Sequence, residues 1–204
     1  MKPNFKHIVI WTGLIAAILT AGLPATAAAQ PQTILKVDPQ SLRLQVGETA
    51  QVDLTLEQVA DLYGAEIHLR FNPEILEIVD ADPAQEGVQL EPGMLPIPDF
   101  VVLNKADNVA GTVDYAVTQL PPNKPGEGDG IVARITFRAK KAAVSQIQLE
   151  RFLLADTSGS SIQAVPQHGQ IKVTGNSTWI LITIASALLM VIGGGIGFIW
   201  IKRK

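Results

Sequence analysis

Between residues 33 and 174, apolar side chains recur at every second position in short runs divided by turn residues, and no stretch holds a helical period for three turns. In 64–71, Ala65, Ile67, Leu69 and Phe71 share one parity while Gly64, Glu66, His68 and Arg70 share the other. That is the alternation of a strand with one face buried and one face free. Leu42, Leu44 and Val46, then Val52, Leu54 and Leu56 beyond a Gly47-Glu48 turn, predict a hairpin-like pair. Val113, Tyr115 and Val117 mark a further strand, as do Ile131, Ala133, Ile135 and Phe137, and Ile147, Leu149, Ile171 and Val173 add two more. About nine half-buried strands in roughly 140 residues predict an all-β fold, a nine-stranded antiparallel β-sandwich with jelly-roll topology. Pro121, Pro122, Pro125, Gly126, Gly128 and Gly130 mark one loop, and Pro92, Pro96 and Pro98 another.

Both ends depart from this pattern. Lys2 and Lys6 precede an apolar run over 8–21, and Ala27, Ala28 and Ala29 follow as a small-residue cleavage site, so 1–29 reads as a signal peptide. Residues 179–201 contain no charge and carry Trp179 and Trp200 near their ends. As a helix they extend roughly 33 Å, enough to cross a hydrocarbon core of about 30 Å with the indoles at its interfaces. Lys202, Arg203 and Lys204 then place the C-terminus in the cytoplasm by the positive-inside rule. The expected organisation is a signal peptide (1–29), a β-sandwich domain (30–174), a short tether (175–178), a transmembrane helix (179–201) and a basic tail (202–204). Such a protein sits in the cell membrane as a single-pass chain with its N-terminal domain extracellular. Gly193 and Gly197 form one G-x-x-x-G, a spacing that lets two membrane helices approach closely.

Charge sharpens what the outer domain can meet. All 19 acidic residues lie within 30–178 with only eleven of the 16 basic ones, a net charge of −8. A surface of that sign argues against nucleic acid and against an anionic membrane face as partner. The chain has no cysteine, so a domain of about 150 residues must be held by its core alone, and thiolate metal sites and thiol nucleophiles are excluded. Only His68 and His168 fall in the domain, too few for a histidine metal triad. There is no G-x-S-x-G, P-loop or G-x-G-x-x-G. No enzyme activity, cofactor or metal is expected. Glu74, Glu77, Asp80, Asp82 and Glu86 form an acidic cluster without the D-x-[DN]-x-[DN]-G loop of a calcium site.

Several segments in order carry a family resemblance: Val46-Gly47-Glu48-Thr49, Tyr63-Gly64-Ala65-Glu66-Ile67, Phe71-Asn72-Pro73-Glu74-Ile75-Leu76-Glu77 and Val79-Asp80-Ala81-Asp82-Pro83. Gly87-Val88-Gln89-Leu90, then 129–137 (DGIVARITF), Leu154-Ala155-Asp156 and Gly169-Gln170-Ile171-Lys172-Val173 continue it. The chain resembles the cohesin domains, receptor modules that dock dockerin-bearing enzymes onto cellulosome scaffolds. The resemblance implies a jelly roll that presents one flat sheet face to a helical dockerin. On that face it puts Glu66, His68 and Arg70 from one strand, Asp114, Ala116, Thr118 and Gln119 from another, and Gln163 from a later segment. Familiar members carry an Asn and an Asp where this chain has Gly64 and Glu66, so the acidic charge is kept and the amide is lost.

The nearest rival is direct binding of polysaccharide, since cohesins are related in fold to carbohydrate-binding modules. Sugar rings are commonly held by exposed aromatics, and the domain has only Tyr63, Phe71, Phe100, Tyr115, Phe137 and Phe152. Phe71, Tyr115 and Phe137 have core parity; Tyr63 and Phe100 are the candidate contacts. A spacer or self-association unit is the third reading.

Overall fold

The computed structural model describes residues 32–175; the expected signal peptide, transmembrane helix and basic tail lie outside the described residues. Twelve extended stretches follow one another: β1 (Thr33–Asp38), β2 (Ser41–Gln45), β3 (Thr49–Arg70), β4 (Leu76–Val79), β5 (Glu91–Pro92) and β6 (Phe100–Asp107) come first. Then come β7 (Thr112–Thr118), β8 (Gly126–Ala139), β9 (Val144–Asp156), β10 (Ser161–Ile162), β11 (Ala164–Gln167) and β12 (Gly169–Thr174).

The 22-residue β3 organises the fold. Its first half pairs with β1 and β8, and its second half with β7 and β9, so one strand serves both layers. The first layer runs β11, β1, β3, β8, with β4 and β5 on the far side of β8; the second runs β6, β7, β3, β9, β12, β2. The change of layer falls at Gln58 and Asp61, both non-glycine residues with positive φ, at 55° and 58°. Such a conformation needs support from outside. The Gln58 N–H donates to Asp129 Oδ1 at 2.8 Å, Thr33 Oγ1 donates to the Gln58 carbonyl at 3.2 Å, and Thr157 Oγ1 donates to the Asp61 carboxylate at 3.0 Å.

Inward residues of both layers form one buried cluster, from Leu35, Leu54 and Ile135 in the first to Ile67, Tyr115 and Ile147 in the second. Phe71, at the end of β3, meets Phe137 of β8 edge to face with centroids 5.5 Å apart, tying the two layers together. A further close approach binds the 93–95 segment to β8. The Gly93 and Met94 N–H groups donate to Val132 and Ile131 carbonyls at 2.9 Å, and a Cβ on Gly93 would lie 2.0 Å from the Ile131 oxygen.

Three expectations are corrected. Twelve extended stretches stand where alternation counts about nine, because β5 and β10 are two-residue pairings too short to show a period. The pairing is not wholly antiparallel, since β1 runs parallel to β11 and β2 parallel to β12. Nor do 42–46 and 52–57 form a hairpin: β2 joins β12 in the second layer while β3 begins in the first. Gly47, at φ 92°, turns the chain between layers. Alternation with a tight turn reads the same whether two strands pair side by side or face each other across a sandwich.

Candidate functional site

The solvent face of β6, β7, β3 and β9 is built by cross-strand register. Residues opposite one another in a ladder share a face, which sets four rows: Phe100, Thr118, Gly64, Ala155; then Leu103, Ala116, Glu66, Leu153; then Lys105, Asp114, His68, Arg151; then Asp107, Thr112, Arg70, Gln148. The inward partners Ala65, Ile67, Leu69, Val113, Tyr115 and Val117 are all buried. The outward positions are thereby fixed to a rigid floor.

The face divides by polarity. At one end Phe100 is 56 % exposed, Leu103 40 % and Leu153 50 %, with Val102 at 60 % on a bulge beside them. Monomeric surfaces seldom group large apolar side chains in this way without a use for them.

The other end is an ion-pair network centred on His68. Its Nδ1 lies 2.5 Å from Asp114 Oδ1 and its Nε2 2.6 Å from Glu66 Oε1. Two carboxylates on two ring nitrogens suit an imidazolium, in which both nitrogens donate. The bond to Glu66 and then that to Asp114 raise the His68 pKa above its ordinary value, against desolvation and the nearby Arg151 guanidinium. Arg151 Nη2 stands 2.8 Å from His68 Nε2, to which it donates only when the ring is neutral, and 3.6 Å from Glu66 Oε1, the partner it shares with the charged ring. Arg70 pairs with Glu150 through Nε at 2.5 Å. At the border, Asp107 accepts N–H bonds from Ala110 and Val109, which hold its pKa below the ordinary carboxylate value.

Of the residues expected here, Glu66, His68, Arg70, Asp114, Ala116 and Thr118 share the face. Gln119 does not: it is 1 % exposed, its Nε2 donates to the Lys124 carbonyl at 2.7 Å, and its Oε1 accepts from the Ile97 N–H at 3.4 Å. Thr118 and Gln119 are neighbours in an extended segment, so both cannot point outward. Gln163 lies exposed between β10 and β11, where the chain passes to the edge of the first layer, and belongs to none of the four rows.

The residues that sequence reasoning passes over are Leu103, Leu153 and Arg151. Their signal is masked by bulges. A register shift between Val101 and Leu103 breaks the alternation of β6, and one between His68 and Leu69 leaves Glu150 and Arg151 of β9 both exposed. Phe100, one of the two candidate sugar contacts, is the only aromatic in the four rows.

The domain matches the family model described as the cohesin domain over residues 35–173, more than half of the chain. No curated protein matches the sequence. Among solved structures, a non-cellulosomal cohesin from the hyperthermophilic archaeon Archaeoglobus fulgidus is similar with TM-score 0.56 and 16 % identity, over 71 % of this chain and 92 % of that one. A type II cohesin domain from the cellulosome of Acetivibrio cellulolyticus is similar with TM-score 0.59 and 16 % identity, over 69 % and 95 %. A type I cohesin–dockerin complex from Clostridium thermocellum, Coh-OlpC-Doc435, gives TM-score 0.58 and 16 % identity, over 73 % and 99 %. At such identities the likeness concerns the fold.

Proposed function

The chain belongs to the cohesin domain family, and from that premise we propose that it is a non-catalytic recognition module that captures a dockerin-type protein on the β6–β7–β3–β9 face. The observation that carries this reading is the division of that face, with Phe100, Leu103 and Leu153 exposed at one end and the Glu66, His68, Asp114 and Arg151 network at the other. Apolar contacts offer most of the energy of a protein interface, while paired charges set register and exclude wrong partners. A flat sheet with one aromatic in its four rows suits a protein surface better than a sugar chain.

The module works at the cell surface in this proposal. Residues 1–29 export the domain and 179–201 retain it in the membrane with a tether of a few residues, linking the captured protein to surface assembly or polysaccharide degradation. The Trp pair and the terminal Lys-Arg-Lys support this orientation.

The test is titration of purified dockerin modules against the full chain in detergent, read by calorimetry. Saturable binding that is lost on altering the face supports the proposal. Failure of every dockerin tested, with and without calcium, overturns it. Protease accessibility on intact cells tests the topology: loss of the domain with retention of a membrane-bound stub is expected, and full protection contradicts it.

A further inference from the structure

A groove opens at the seam between the layers. The outer edge of β6 carries one backbone bridge among the described residues, Ala106 to Val88, and the Asn104 side chain takes over the pairing with Leu90, donating to its carbonyl and accepting its N–H at 2.8 Å. Beyond Asn104, Val101–Leu103 has no strand beside it on that side among the described residues. The gap opens as a groove of about 420 Å³ whose walls include Asp82, Gln85, Gln89, Glu91, Val101 and Leu103. That volume is in the range of ligand sites, about 300–1,000 Å³.

The polar chemistry of the groove is one-sided. Gln85 Nε2 is spent on Asp82 and Gln89 Nε2 on the Glu86 carbonyl. Their amide oxygens, with the carboxylates of Asp82 and Glu91, are acceptors, and no Lys or Arg lines the groove. Gln89 is 6 % exposed, and its Oε1 is buried without a hydrogen-bond partner among the described residues. An orphaned buried acceptor is costly unless something donates to it. A metal ion fits poorly, since the described residues contain no group of three His, Cys, Asp or Glu placed to hold one. Sugars call for donors as well as acceptors, and the groove offers few of the former. A primary ammonium brings three donors and no acceptor, and it suits a domain of net charge −8.

We propose that this groove binds an extended, lysine-bearing segment of a partner protein, which adds to the free edge of β6 and places its ammonium between Asp82 and Glu91, over Gln89. Main-chain bonds to the edge supply affinity and the ammonium supplies selection. The groove shares Leu103 with the border of the sheet face, but Asp82, Gln89 and Glu91 belong to none of its four rows, so binding there is read apart from the use of that face.

The experiment is fluorescence anisotropy of a labelled five-residue peptide, Thr-Val-Lys-Val-Thr with blocked ends, against the full chain in detergent. Two matched peptides carry acetyl-lysine or norleucine at the centre. The lysine peptide should bind at least tenfold more tightly than either. Glu91→Gln and Asp82→Asn should each weaken it by at least threefold with an unchanged melting curve. Glu91 is exposed and Arg134 keeps Asp53 without it, and Asn at 82 keeps Oδ1 as the acceptor for Ala84 while the exposed Gln85 turns its amide oxygen to the new NH2. Equal binding of the three peptides, no binding at all, or indifference to both variants would overturn the proposal. So would competition by neutral oligosaccharides that matches competition by free peptide.

Discussion

Replacing Phe100 and Leu153 together with serine removes the apolar anchors at the two borders of the sheet face. The strands that carry them, β6 and β9, are three strand spacings apart, about 14 Å, so the two effects should add. Full burial of such a side chain is worth about 1.5–3 kcal/mol. With 56 % and 50 % of these two still exposed in the free domain, about 1 kcal/mol from each is left for a partner to gain. The pair therefore accounts for about 2 kcal/mol of binding, a weakening of about 30-fold on removal. The covered halves cost the fold a similar sum, which a native stability of about 5–15 kcal/mol tolerates. Calorimetric titration with a dockerin module, beside circular dichroism to confirm the fold, measures both. Affinity within threefold of the parent chain, with the fold intact, would refute the assignment of this face.

The remaining predictions concern the network and the core. His68 should titrate above pH 6.5 in an NMR pH series, because Glu66 and then Asp114 bind its charged form, and Asp114→Asn should lower the midpoint; a midpoint at or below 6.5 contradicts the network. Since the folded pKa is the raised one, the stabilisation is fully present below about pH 6.5 and is lost as pH rises through the folded value. The stability gap between the parent and His68→Gln should therefore narrow upward in pH, and a gap that widens would be wrong in sign. Phe137→Ala, at a site fully buried against Phe71, should cost about 3–5 kcal/mol in urea unfolding, and a loss below about 1 kcal/mol would deny that the layers lock there. Tyr115 carries a buried hydroxyl with no partner among the described residues, its pKa pushed up to about 12 by burial, so Tyr115→Phe should be neutral or stabilising by up to about 1 kcal/mol; a clear loss would show that the hydroxyl is satisfied.

Alternation makes the sheet face partly legible in the sequence. Parity alone separates Glu66, His68 and Arg70 from Ile67 and Leu69, and the same rule gives Asp114, Ala116 and Thr118. It also rejects Gln119, whose place beside Thr118 forces it inward. What parity cannot give is the company these residues keep. That His68 lies between Glu66 and Asp114 depends on register between segments 46 positions apart, and the ladder opposite Glu66 that brings in Leu153 rests on a bulge at Glu150 and Arg151. Likewise 52–57 and 64–71 read as two strands because Gln58 and Asp61 interrupt the period, whereas the chain bends there without breaking the strand. The groove beside β6 is not legible in the chain at all, since its walls come from the loop after β4, the short β5 and the edge of β6 with no shared motif.

The most direct test of the central claim is a double-mutant cycle between this face and a bound dockerin module. Leu153→Ser and a truncation of the dockerin's principal apolar contact are measured singly and together by calorimetry. Capture on this face predicts a coupling energy of at least about 0.5 kcal/mol. Strict additivity, with binding otherwise intact, would place the dockerin elsewhere on the domain and contradict the account.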